Sequence, residues 1–112
     1  MMTFLTLRRL GVRFATAVAI VLQLGVLGAR AEELKVTIDN FTFAPAELKV
    51  KVGDTVTWTN HDDIPHTVVS AGKYRSKTMD TDDHFSFTFT AAGDYKYFCS
   101  LHPHMTGMIK VE

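Results

Sequence analysis

The chain has one cysteine, one tryptophan and three prolines among 112 residues, and its formal net charge is zero. A lone cysteine excludes an intrachain disulfide. The zero charge hides an uneven split. Residues 1 to 31 carry Arg8, Arg9, Arg13 and Arg30 and no acid, leaving eight basic against twelve acidic residues in 32 to 112, a net of −4. Nothing in that part forms a basic face able to neutralise phosphates, which argues against nucleic acid as a partner. Long apolar runs are also missing. The run from Phe14 to Gly28 is broken by Thr16 and Gln23 and falls short of the roughly 20 residues that a membrane-spanning helix needs. Residues 32 to 112 show no convincing amphipathic helix, internal repeat, low-complexity tract or interdomain linker.

What is present at the start is a secretory pattern. Arg8, Arg9 and Arg13 precede the apolar run, and Ala29-Arg30-Ala31 follows it with small-x-small spacing. Residues 1 to 31 therefore read as a helical signal peptide cleaved after Ala31, which sends residues 32 to 112 to the periplasm. The competing reading is an uncleaved anchor. Arg8-Arg9 leaves twin-arginine export open beside the general secretory route. The remaining domain, 32 to 112, is small enough to lean on a metal or a disulfide for stability, and the disulfide is unavailable.

From Glu32 onward the apolar residues recur with period two. Leu34, Val36 and Ile38 alternate with Lys35, Thr37 and Asp39, and Asp39-Asn40 offers a turn. Leu48, Val50 and Val52 form a second run, closed by Gly53-Asp54. Val56 and Trp58 form a third, and Phe85, Phe87 and Phe89 a fourth. Ala92-Gly93-Asp94 turns into Tyr95 to Cys99, and Gly107 to Glu112 reads as a last strand. Each run fits a strand with one face buried. Several short strands separated by turns argue for an all-β, antiparallel sandwich or barrel. Ser70 to Asp83 lacks this alternation and reads as a loop with one short edge strand around Tyr74 to Lys77. Its mixed charges read as a solvated face.

The chemistry concentrates in Cys99-Ser100-Leu101-His102-Pro103-His104-Met105. An exported chain with an odd cysteine needs an account of that thiol. A buried inert thiol or an intermolecular disulfide would explain Cys99 alone. Neither explains a histidine three residues later, a methionine three beyond that, and a further histidine at His66 after Pro65. Two imidazoles, a thiolate and a thioether are the ligand set of a mononuclear blue-copper centre, whereas methionine is a poor ligand for zinc. Strand parity places Cys99 on the inward face with Tyr95 and Tyr97, and Val68 shares the parity of His66. The Thr67 backbone N–H is a candidate donor to the sulfur, and Asn60 a candidate for tying the ligand loops together. His104 reads as a turn-exposed side chain inside the loop. His61 and His84 have no partner at metal-ligand spacing and read as ordinary surface residues.

The stretch from Ala92 to Met105 resembles the C-terminal signature of the cupredoxins, and most closely the amicyanin-type members, whose ligand loop has the same short Cys-x-x-His-x-x-Met spacing. Trp58-Thr59-Asn60 leading to Pro65-His66 is similar to the first-ligand region of that family, with Thr67 standing where asparagine is common. The resemblance spans Leu34 to Glu112. It implies a Greek-key β-sandwich, one Cu(I)/Cu(II) ion held by His66, Cys99, His102 and Met105, and one-electron transfer without substrate turnover. It also implies an exposed edge at His102 within an apolar docking patch of Leu101, Pro103, Pro65 and Met108. The partners implied are redox proteins, an exported dehydrogenase or a c-type cytochrome, met as transient complexes by a monomer. An alternative is a periplasmic copper-binding or copper-delivery protein. A copper enzyme is disfavoured, because a binuclear electron-entry site needs two cysteines and further copper centres need more histidine clusters.

Overall fold

A computed structural model describes residues 31–112, so the expected signal peptide of residues 1 to 31 and its cleavage site lie almost wholly outside the described residues. Nine strands follow in order: β1 Glu33–Asp39, β2 Thr42–Ala44, β3 Glu47–Val50, β4 Thr55–Asn60, β5 Val69–Ser70, β6 Tyr74–Arg75, β7 His84–Thr88, β8 Gly93–Phe98 and β9 Thr106–Val111. They form two sheets, one ordered β2-β1-β4-β7 and the other β3-β9-β8-β5-β6. Among the described residues there is no helix, in line with the all-β expectation. The chain passes repeatedly between the sheets, and each sheet has one parallel pair within an otherwise antiparallel set: β1 with β4, and β3 with β9.

The period-two pattern decides which side chains meet between the sheets. Val36, Ile38, Val56 and Trp58 of the first sheet are buried, as are Val50, Tyr97, Ile109 and Val111 of the second. Trp58 lies at the centre, with ring centroids 5.4 Å from Tyr97, 5.6 Å from Tyr74 and 5.7 Å from Phe85. The Tyr97 contact is edge-on and the other two are tilted; an edge-on pair adds about 0.5–1.5 kcal/mol beyond area burial. Tyr97 has room only because its cross-strand partner on β9 is Gly107. A Cβ at that position would stand within 2.8 Å of Tyr97 Cε1 and nearer still to the end of the ring.

Three details differ from the sequence pattern. The alternation through Val52 outlasts β3, which stops at Val50, and Val52 is exposed. The cause is a tight turn in which Lys51 N donates to Asp54 Oδ2 at 2.8 Å and Asp54 N to Lys51 O at 3.0 Å. The expected edge strand at Tyr74 to Lys77 exists only as Tyr74–Arg75, at the edge of the second sheet. β2 and β5, of three and two residues, are too short to show a period at all.

The parallel register of β1 and β4 places Ile38 beside Asn60. Both strands therefore end together, and the segments that follow them, Asn40–Phe41 and His61–His66, lie side by side. His61 N donating to Ile38 O at 2.7 Å seals that junction.

Candidate metal centre

His66 lies between β4 and β5 and is positioned by backbone pairing rather than by a long strand. It exchanges both backbone hydrogen bonds with Met79, at 3.1 and 2.9 Å. Asn60, fully buried, organises the loop leading to it. Its Nδ2 donates to Ile64 O and Met79 O, each at 3.0 Å, and its Oδ1 accepts from Asp62 N at 2.9 Å. Asn60 thus uses its polar groups within the His66 side of the site.

Cys99 follows β8 on the face shared with Tyr97, and both side chains are buried, as strand parity requires. The chain then folds back in a closed loop. His102 N donates to Cys99 O at 3.2 Å, Met105 N to His102 O at 2.9 Å, and Cys99 N to Met105 O at 3.1 Å. Spacing of three and three residues is what lets these turns return His102 and Met105 to Cys99. Met105 is buried, His102 is half-buried, and His104 is exposed at the loop tip. His61 and His84 lie on the surface, His61 with Nδ1 3.7 Å from Asp82 Oδ1.

The loops meet at the sulfur. One ligand atom from each of His66, Cys99 and His102 lies within 4.8 Å of the others. His66 Nδ1 is 3.6 Å and His102 Nδ1 3.7 Å from Cys99 Sγ. Thr67 N donates to Sγ at 3.3 Å, the bond expected from the sequence. The tie between the two ligand segments is also made by Thr67, not by Asn60. Its hydroxyl oxygen accepts from Ser100 N at 2.8 Å, shares a hydrogen bond with Ser100 Oγ at 2.8 Å, and lies 3.8 Å from Sγ.

These contacts set the electrostatics. Burial alone would push the Cys99 thiol up, but the Thr67 amide, the His66 and His102 rings and the Leu101 amide together outweigh it and bring the thiol down to about 6. The site is therefore built for a thiolate, the form that binds metals. Asp62 Oδ2 lies 2.7 Å from His66 Nε2. A carboxylate accepts, so Nε2 carries a ring proton, and Nδ1 is the ring nitrogen turned toward the sulfur. Burial raises the Asp62 carboxyl, and the Phe41 amide, the His66 ring and the Asn40 amide outweigh it and hold it below the usual range.

Sequence reasoning missed three contributors: Phe41, Asp62 and Ser100. Asp62 did carry a signal, an acid four residues before a candidate ligand. Phe41 carried none, since a lone aromatic after a turn has no period. The residue is 52% exposed, and its ring stands edge-on to both imidazoles, with centroids 5.6 Å from His66 and 5.2 Å from His102. Leu101 and Pro103, the neighbours of half-buried His102 in the chain, and Pro65 are exposed as expected, whereas Met108 lines a shallow groove on the second sheet with Pro103, Lys96 and Phe98.

A two-sheet sandwich with a buried thiolate, two converging imidazoles and a buried methionine defines a site for one soft or borderline metal ion, and the donor set fits copper. Residues 31–112 match the model of the copper binding proteins of the plastocyanin/azurin family, and the chain belongs to that family. Within it, the similarity is to amicyanins. The chain is 40% identical over 83 residues to an amicyanin of Paracoccus denitrificans, a match covering 69% of this chain and 63% of that relative's length. It is 35% identical to the amicyanin of Paracoccus versutus, over 73% of this chain and 67% of that one. A solved Cu(I) form of an amicyanin variant superposes with a TM-score of 0.69 at 37% identity, over 71% of this chain and 82% of that one. A purple cupredoxin of Nitrosopumilus maritimus gives 0.68 at 33%, over 70% and 99%. The protein is an amicyanin-like cupredoxin, and copper is its cofactor.

Proposed function

We propose that the protein is an exported one-electron carrier, with His66, Cys99, His102 and Met105 as its four copper ligands. The observation that carries this reading is the convergence of His66, Cys99 and His102 from two chain segments onto one buried sulfur, with Met105 folded back beside them. A copper ion held there supplies a Cu(I)/Cu(II) couple. The protein's own part is to keep the ligands in place through both states. Asp62 and Met79 hold His66, Thr67 locks its segment to Ser100, and the closed loop holds His102 and Met105 relative to Cys99. Little then rearranges on electron exchange. The half-buried His102, flanked in sequence by exposed Leu101 and Pro103, is the natural contact for a redox partner, an exported dehydrogenase or a c-type cytochrome met transiently. Residues 1 to 31 deliver the chain to the periplasm and are removed.

The second reading, copper delivery, rests on the same ligands. The two are separated by purifying the protein from an exporting host, determining its N-terminus and copper content, and recording its spectrum and potential. An intense visible copper–thiolate band with reversible one-electron voltammetry supports the carrier. Transfer of the ion to an acceptor without redox cycling supports delivery. Cys99→Ser should abolish the band, and a variant that stays blue refutes the ligand set.

A further inference from the structure

The residue without a role so far is Phe41. It follows a strand end, is half exposed, and presses its edge on both imidazoles. Its backbone is unusual: Asn40 and Phe41 take φ values of +50° and +57° in succession. Non-glycine residues seldom adopt this region, and a bulky aromatic does so only where its surroundings hold it there. What holds the pair is visible. Asn40 N donates to Asp62 Oδ1 at 2.6 Å, and Phe41 N to Asp62 Oδ2 at 3.0 Å. The same Oδ2 accepts the ring proton of His66 at 2.7 Å.

We propose that Asp62 is a positioning residue that sets the tautomer of His66 and the seat of the Phe41 ring with one carboxylate, so that the buried ligand and its aromatic cover are fixed together. The proposal rests on the reading of His66 as a copper ligand. Three donors converge on two oxygens, and bonds to an ionised acceptor are roughly twice as strong as neutral ones. Asp62 is itself anchored from both sides. Its N–H donates to Asn60 Oδ1 at 2.9 Å, and its carbonyl accepts from Thr81 Oγ1 at 2.6 Å. With the aspartate fixed, the turn has one place to dock, and the ring of Phe41 is carried over His66 and His102. Toward the metal, a carboxylate on Nε2–H makes the imidazole a better donor. Toward solvent, the ring it seats shields the two imidazoles.

The test is Asp62→Asn in the full chain, read by nitrogen and proton NMR on both the metal-free and the copper(I) protein. An amide offers one acceptor oxygen where the carboxylate offers two, so at least one of the three donors must face an N–H. The expected result is joint loss. Hydrogen exchange of His66 Nε2–H and of the Asn40 and Phe41 amides should speed at least tenfold together, and the ring-current shift that Phe41 imposes on His102 should collapse. Copper(I) affinity, measured by competition with a chelator, should fall by about 10- to 100-fold, the usual cost of losing a ligand's outer partner. A variant whose Phe41–His102 shift stays at the wild-type value while His66 changes overturns the coupling, as does one in which neither changes. Should the variant fail to fold, the wild type decides. Amides of Asn40 and Phe41 protected more than about tenfold support the clamp, and free exchange at these half-exposed residues refutes it. Because the metal-free protein is read as well, a chain that takes up no copper would refute the carrier proposal without deciding this one.

Discussion

Thr67→Val removes one oxygen and tests what joins the two ligand segments. The threonine hydroxyl is the acceptor for the Ser100 amide at 2.8 Å and a partner of Ser100 Oγ at the same distance. Valine occupies similar space, so no cavity opens, but the Ser100 N–H is left in a partly buried position without its acceptor. Leaving such a donor unpaired costs about 1–3 kcal/mol. For a domain of this size each kcal/mol lowers Tm by about 4–8 °C, so the metal-free variant should melt about 5–20 °C below the wild type by circular dichroism. The bond from Thr67 N to Cys99 Sγ at 3.3 Å is made by the backbone and survives the change. The copper-loaded variant should therefore keep its intense visible band. A Tm within about 2 °C of the wild type, a smaller shift than even about 1 kcal/mol would produce, would show that the hydroxyl does not tie the segments. Loss of the band with stability intact would show that the hydroxyl, not the amide, governs the sulfur.

Three further outcomes are expected. Met105→Leu keeps the buried apolar bulk but removes the thioether, a weak donor that favours Cu(II), so voltammetry should show a blue site at higher potential; an unchanged potential means Met105 is not a ligand. Cys99 in the metal-free protein ionises at about 6, against an ordinary value of 9.0. Between those values the unfolded chain binds more protons than the folded one, so stability in urea should rise with pH from about 6 to 9, with the contribution lost below 6; a flat profile that Cys99→Ser leaves unaltered refutes it. Gly107→Ala forces a Cβ into the ring of buried Tyr97 and should cost about 1–3 kcal/mol by overpacking, with an unchanged urea midpoint as the refuting result.

The alternation of apolar and polar residues determined the all-β class, the inward faces of β1, β4 and β8, and the burial of Cys99, because side-chain direction in a strand depends only on position along it. The spacing of Cys99, His102 and Met105 determined the ligand loop for a similar local reason: the hydrogen bonds that close it run between residues three or six apart. Thr67 N as the donor to sulfur was legible too, since it follows His66 directly. Short strands such as β5 and the parallel register of β1 on β4 were decided by pairing with distant segments. The outer ring of the site belongs to the same class. Asp62 reaches Asn40 and Phe41 across 22 and 21 residues of chain, and Thr67 reaches Ser100 across 33. These bonds exist only because two strands end together and two loops meet over one sulfur. The sequence alone thus determined which side chains are the candidates to hold copper. Tertiary structure decided which tautomer of His66 presents itself, which hydroxyl joins the two halves of the site, and which aromatic ring covers it, since each depends on a partner whose distance along the chain carries no periodic trace.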